Sequence, residues 1–177
     1  VNICVFCGSS EGNLPIFKEA ALNLGALIGK KGHQLIYGGA DIGLMGALAD
    51  SVLENGGKVT GIIPSFLFEK EIAHRGISEL ITVNSMHERK MRMASLADAF
   101  IALPGGWGTL EELAEILTWK QLHLINKPVA VLNTNEFFSP LIAMMESMVQ
   151  HGFLGREHFK KLIISSTPEE LSLALGF

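Results

Sequence analysis

Three glycine-rich segments each follow a short apolar run in this sequence. Gly8-Ser9-Ser10 follows the run 3–7, and Gly38-Gly39-Ala40-Asp41-Ile42-Gly43-Leu44-Met45-Gly46 follows 34–37. Pro104-Gly105-Gly106-Trp107-Gly108-Thr109 follows 99–103. Glycines let a backbone approach a ligand closely and present consecutive N–H groups. The third segment leads into a helical pattern, and a helix start adds positive potential, so it reads as a phosphate cradle. No segment is G-x-G-x-x-G with a downstream acid, and none is G-x-x-x-x-G-K-[ST]. A dinucleotide or a triphosphate is therefore not indicated.

Two charged residues stand out beside the glycines. Arg89 lies on the same helical stripe as Met86, Met93 and Leu96, and an arginine that faces inward needs acceptors or an anion. The alternatives are a structural ion pair and a side chain that snorkels to water. Lys90 and Arg92 add charge nearby. Glu112 follows the third glycine segment directly. Thr109-Leu110-Glu111-Glu112 fits a capping box, with Thr109 as the cap and Glu112 at the third helical position. A carboxylate beside a phosphate cradle is equally placed for acid–base or charge-stabilising work. The pattern alone leaves both roles open.

Cys4 and Cys7 have C-x-x-C spacing, which invites a redox or zinc reading. The run they occupy reads as a buried strand, where positions three apart face opposite ways at roughly 10 Å. A disulfide needs Cα atoms within about 7 Å, and no second cysteine pair exists to complete a zinc site. Buried, inert thiols are expected, and no metal.

The elements that must carry these residues alternate along the chain. Apolar runs at 3–7, 34–37, 59–63, 80–83, 99–103, 129–132 and 162–164 are mostly continuous, as in strands covered on both faces. Helical periodicity covers about 15–30, 44–55, 86–97, 110–124, 140–151 and 168–175. This alternation predicts an α/β fold, a Rossmann-like doubly wound parallel sheet of about seven strands with helices on both faces. Ser85 with Glu88 and Thr167-Pro168-Glu169-Glu170 mark helix starts, Ser139-Pro140 offers a third, and Gly32 and Gly152 suit helix stops. The segment 64–79 is the least regular and is expected to be a short helix plus a loop over the sheet's edge. No repeat or linker divides the chain, so residues 1–177 are expected to form one domain.

Composition narrows the function class. The chain has 177 residues and a formal net charge of −4, which argues against a broadly basic nucleic-acid surface. Apolar residues counted with glycine reach roughly 58 %, above the usual ~45–50 %, which hints at a buried subunit interface. Trp119, Leu122 and Leu124 crowd the end of the 110–124 helix and point the same way. No apolar run reaches the ~18–20 residues of a membrane span. The start, Val-Asn-Ile-Cys, lacks the basic residues of a signal peptide, so a cytoplasmic domain is expected.

Pro104-Gly105-Gly106-Trp107-Gly108-Thr109-Leu110-Glu111-Glu112 resembles the P-G-G-x-G-T-x-x-E motif of the LOG (Lonely Guy) family. Met86-His87-Glu88-Arg89-Lys90 is similar to that family's M-H-x-R-K. The segment 38–46 is similar to its G-G-G-x-x-G-L-M-G, with Ala40 in place of the third glycine. These proteins are cytokinin riboside 5′-monophosphate phosphoribohydrolases, long mislabelled as lysine decarboxylases.

The resemblance implies a Rossmann-like fold and a homodimer with composite active sites. It implies cleavage of the N-glycosidic bond of a nucleoside 5′-monophosphate, AMP or an N6-substituted relative, to the free base and ribose 5-phosphate, with no cofactor. Matched motif by motif, Arg89 and Glu112 are the catalytic pair. Lys90 and the turn of Gly105, Gly106, Trp107, Gly108 and Thr109 hold substrate, the turn taking the phosphate. Gly8, Ser9 and Gly39 belong to the same site, and Glu71 and Thr118 resemble further substrate contacts. Two other readings stand beside this one. A non-catalytic nucleotide sensor or carrier would need the cradle but not Arg89 and Glu112 together. A pyridoxal-phosphate lysine decarboxylase would need a Schiff-base lysine with a pyridinium partner, and the sequence offers no clear one.

Overall fold

A computed structural model describes residues 1–68 and 73–177. Seven strands form one sheet in the order β4-β3-β2-β1-β5-β6-β7. They are β1 (Asn2–Phe6), β2 (Gln34–Tyr37), β3 (Lys58–Pro64), β4 (Glu79–Val83), β5 (Ala99–Ala102), β6 (Val129–Leu132) and β7 (Leu162–Ser165). Every neighbouring pair runs parallel. The helices are α1 (Pro15–Lys30), α2 (Gly43–Glu54), α3 (Met86–Leu96), α4 (Trp107–Gln121), α5 (Ser139–Gln150), α6 (Arg156–Phe159) and α7 (Pro168–Leu175). The architecture is Rossmann-like, as the alternation predicts.

Burial on both faces explains the unbroken apolar strands. Ile3, Val5 and Cys7 pack with α1, α2 and α7, while Cys4 and Phe6 pack with α3, α4 and α5. The two free cysteines therefore face opposite sides of the sheet and both are buried. Caps fall where the pattern places them for α3 and α7. Ser85 Oγ accepts from Glu88 N at 3.1 Å, and Thr167 Oγ1 accepts from Glu170 N at 3.3 Å.

Three expectations need correction. First, α4 begins at Trp107 with Gly106 as its N-cap and no side-chain cap. Thr109 and Glu112 thus lie inside the helix and form no capping box. Second, Ser139 is the first residue of α5 and not its cap; Phe138 precedes it. Ser139 Oγ instead accepts from Asn133 Nδ2 at 3.1 Å. Third, the irregular segment contains a 3-10 turn at Ser65–Leu67, but its later part folds back over the sheet's carboxyl end. There Ala73 bridges Ala40, and His74 N donates to Gly39 O at 2.9 Å. The single turn α6 had no counterpart in the sequence pattern; four residues are too few to show a period.

Candidate active site

The strand order reverses between β1 and β5: β2, β3 and β4 extend one way from β1, and β5, β6 and β7 the other. In open parallel sheets the carboxyl ends of the strands at such a reversal part to leave a crevice for ligands. All three glycine-rich turns meet there. Gly8 N donates to Pro104 O at 3.1 Å, and Leu44 N donates to Gly8 O at 3.1 Å. Between them lies a cavity of about 220 Å³. Its walls include Ser9, Gly38, Arg89 and Glu112, together with Gly106, Trp107, Gly108 and Thr109. Cys7, Met45, Met86 and Met93 supply its apolar surface.

Arg89 is buried at 5 % exposure. Its Nε donates to Ile62 O at 3.0 Å and its Nη2 to Gly38 O at 2.5 Å. The inward arginine of the sequence pattern thus has main-chain carbonyl acceptors. The close approach requires glycine at 38, because a Cβ there would stand 2.3 Å from Nη2. Glu112 enters from α4, and its half-buried carboxylate adds negative potential at the end of β1. Burial first, and that charge second, raise the Cys7 thiol above its ordinary pKa.

The start of α4 is open to a ligand. Nothing lies within 4 Å of where a side chain on Gly106 or Gly108 would sit. Gly105 is the opposite case: a Cβ there would meet Thr109 Oγ1 at 2.1 Å. Only glycine lets the buried Thr109 close the turn against β1. The first turn of α4 has no side-chain cap and lines the cavity together with Arg89 and Glu112. That combination suits an anion at the helix start with a cation and a carboxylate alongside.

Other residues named from the sequence stand apart from this cavity. Lys90 is bonded to Glu111, and its Nζ lies 3.3 Å from a carboxylate oxygen of Glu115, so it ties α3 to α4. Gly8, Gly39 and Gly105 form the layer behind the walls. Thr118 donates to Ala114 O at 2.8 Å. It faces a second, apolar groove of about 450 Å³ bounded by α4, α5, α6 and Leu162. Glu71 lies outside the described residues. Sequence reasoning overlooked the carbonyls of Gly38 and Ile62, since a main-chain acceptor leaves no mark in residue type. It also overlooked a cluster of Asp41, Asp50 and His74, which are far apart in sequence and meet only through the fold.

A family model described as "Possible lysine decarboxylase" matches residues 45–175. The chain is 45 % identical over 169 residues to the probable cytokinin riboside 5′-monophosphate phosphoribohydrolase LOGL1 of Oryza sativa subsp. japonica, covering 96 % of this chain and 76 % of that protein. The chain belongs to the LOG family. A second LOG relative, the cytokinin riboside 5′-monophosphate phosphoribohydrolase LOG2 of Arabidopsis thaliana, is 44 % identical over 173 residues, covering 97 % of this chain and 81 % of that one. Among solved structures, this LOG fold is similar to the molybdenum cofactor binding protein of Rippkaea orientalis, with TM-score 0.73, 25 % identity and coverage of 99 % and 97 %. It is also similar to the Moco carrier protein of Chlamydomonas reinhardtii, with TM-score 0.74, 20 % identity and coverage of 99 % and 94 %. The scaffold therefore serves proteins named for binding and carrying, and the LOG chemistry must be argued from the site.

Proposed function

We propose that this protein hydrolyses the N-glycosidic bond of a nucleoside 5′-monophosphate carrying adenine or an N6-substituted adenine. The activity for which the LOG relatives are named supports this reading, and one observation carries it in this chain: Arg89 and Glu112 share a cavity with a helix start that has no side-chain cap. Water adds across the bond, its hydroxyl going to C1′ and its proton to the departing base, leaving free base and ribose 5-phosphate. Bond breaking builds oxocarbenium character on the sugar, and the Glu112 carboxylate stabilises that charge or steers the water. Arg89 stays charged at neutral pH and acts through electrostatics and positioning, not as a proton donor. The 5′-phosphate sits on the turn 105–109, and its binding energy orients the ribose. Ser9 and Trp107 border the substrate, with Gly8 and Gly39 behind. Lys90 sets the distance between the helices that carry the pair.

The active unit is proposed to be a homodimer. Leu122, Leu124, Met144 and Phe153 are exposed at 60, 68, 55 and 85 %, close to the apolar groove that Thr118 faces. A second copy covering this surface would present its own Thr118 to the cavity, making the site composite. The carrier reading has the fold similarity in its favour, and turnover separates the two.

The test is a product assay across AMP, isopentenyladenosine monophosphate, GMP, CMP and adenosine. Ribose 5-phosphate should appear from the adenine monophosphates. Adenosine should be a far poorer substrate, since it lacks the group the cradle holds. Equal kcat/KM for adenosine and AMP would show the cradle to be misassigned, and binding without product would favour the carrier.

A further inference from the structure

The cluster of Asp41, Asp50 and His74 lies outside the cavity. One ligand atom from each lies within 4.8 Å of the others, a spacing that would suit a metal ion. The far side of the imidazole argues against one. Gly76 N donates to His74 Nδ1 at 3.2 Å, so Nδ1 is the acceptor and the neutral ring carries its proton on Nε2. That Nε2–H points at Asp50 Oδ1, 2.9 Å away, with Asp41 Oδ1 at 3.6 Å. A protonated nitrogen is a hydrogen-bond donor and has no lone pair for a metal.

What the cluster holds is the turn after β2. His74 N donates to Gly39 O at 2.9 Å, and Ala73 bridges Ala40. The ring then anchors to Asp50 on α2, the helix this turn feeds. Residues 38–41 are thereby fixed at both ends. The carbonyl immediately before Gly39, that of Gly38, is the acceptor for Arg89 Nη2. The other guanidinium acceptor, Ile62 O, sits on the neighbouring strand β3. Gly61 of that strand is packed so closely that a Cβ on it would meet Gly39 Cα at 2.7 Å. The turn rests on β3 from below and is held by His74 from above.

We infer that His74, braced by Asp50, is a positioning residue that sets the Gly38 carbonyl and so aims the Arg89 guanidinium into the cavity. This rests on the role proposed above for Arg89. His74 is absent from the cavity wall and acts only through the turn. The phosphate cradle at 105–109 is a separate segment, so loss of the clamp should spare substrate anchoring and impair the chemical step. Displacing a catalytic group by about an ångström costs up to ~10²-fold.

The experiment compares full-length wild type, His74→Ala, His74→Gln, Asp50→Ala and Arg89→Lys. Ribose 5-phosphate release from AMP gives kcat and KM, and thermal melting gives stability. His74→Ala and Asp50→Ala should lower kcat by roughly 10- to 100-fold with KM for AMP within about twofold. His74→Gln, whose amide N–H reaches as Nε2–H does, should recover most of the loss. A second readout is independent of turnover. Hydrogen exchange of the Arg89 Nε–H, assigned by its disappearance in Arg89→Lys, should quicken at least about 10-fold in His74→Ala, with Arg92 as the exposed control. Unchanged kcat, a loss confined to KM, or a loss that tracks melting and is not recovered by Gln would overturn the inference. Should wild type release no ribose 5-phosphate, the function proposed above falls, and the exchange measurement alone decides the clamp: unchanged protection overturns it.

Discussion

Glu112 shows how a residue's possible roles narrow once its helix is placed. With α4 starting at Trp107 and Gly106 as its N-cap, the carboxylate lies about a turn beyond the capping positions and does not cap the helix. Glu112→Gln keeps the shape and one acceptor oxygen, replaces the other with an NH2 donor and removes the charge. Its melting temperature should stay near wild type, well inside the ~1 kcal/mol of a lost cap. Its kcat should fall roughly 10²- to 10⁴-fold, read as ribose 5-phosphate released from AMP. Wild-type turnover would remove Glu112 from the mechanism. Cys7 carries a second prediction at this scale. Its thiol borders the cavity but is only 7 % exposed, and burial with the Glu112 charge raises its pKa. Cys4 is fully buried with its pKa raised by the same two causes. Reactivity needs the thiolate. A colorimetric disulfide reagent at about pH 8 should therefore find almost no thiol in the native protein and both after denaturation.

Among the elements, α3 and α4 matter most, because each carries one member of the proposed pair. Lys90 joins them through Glu111 and Glu115. The bond to Glu111 is the main reason the Lys90 pKa is raised above the ordinary lysine value, against a lowering by burial. A raised value in the folded state means that the link's contribution is fully present below the ordinary lysine pKa. It is lost as pH climbs through the folded one. Lys90→Met should therefore melt below wild type near pH 7, by about 1 kcal/mol or less, because Glu111 is more than half exposed and water screens the pair. The gap should close as pH approaches about 11, as differential scanning fluorimetry can show. A gap that widens with pH would contradict the pairing.

Most elements were legible in the sequence, because strands buried on both faces leave unbroken apolar runs and helices leave a period. The six helical segments and seven strand runs all have counterparts. The inward Arg89 and the glycine-rich turn before α4 were legible because side-chain type and glycine spacing record them. The start of α4 was misread because Thr109 and Glu112 satisfy a capping pattern, while the helix in fact begins on a glycine cap that bears no side chain. The His74 clamp was invisible because its partners come from α2 and from a turn, 24 and 33 residues away, and nothing local marks such a meeting.

At the scale of the whole molecule, Leu122 and Leu124 just beyond α4, Met144 on α5 and Phe153 just beyond α5 expose apolar side chains, a concentration of the kind that marks an interface. A stable dimer should bury more than ~1,000 Å² there in total. Light scattering at micromolar concentration should return about twice 19.2 kDa for the wild type. Met144→Glu places a charge on the exposed side of α5 and should yield monomers. If Thr118 serves the neighbouring site, those monomers should also lose turnover while keeping their melting behaviour. A monomeric wild type would remove both the dimer and the composite site.

The reversal of strand order beside β1 has a consequence for the order in which the chain can become competent. β2, β3 and β4 extend the sheet from one edge of β1 within the first 83 residues. Its other edge waits for β5, which pairs with it only from Ala99 onward. In the unfolded chain that pairing spans the longer loop and carries the larger closure entropy. A chain emerging from the ribosome would thus hold a half-sheet with the Gly8 and 38–46 turns already placed, and Arg89 soon after. The phosphate cradle and Glu112 arrive only with the second half. The seam along β1 and β5 joins the two halves of the sheet and borders the cavity, so a chain holding only the first half lacks the cavity walls that α4 supplies. On the site proposed above, turnover should appear only once that seam has closed.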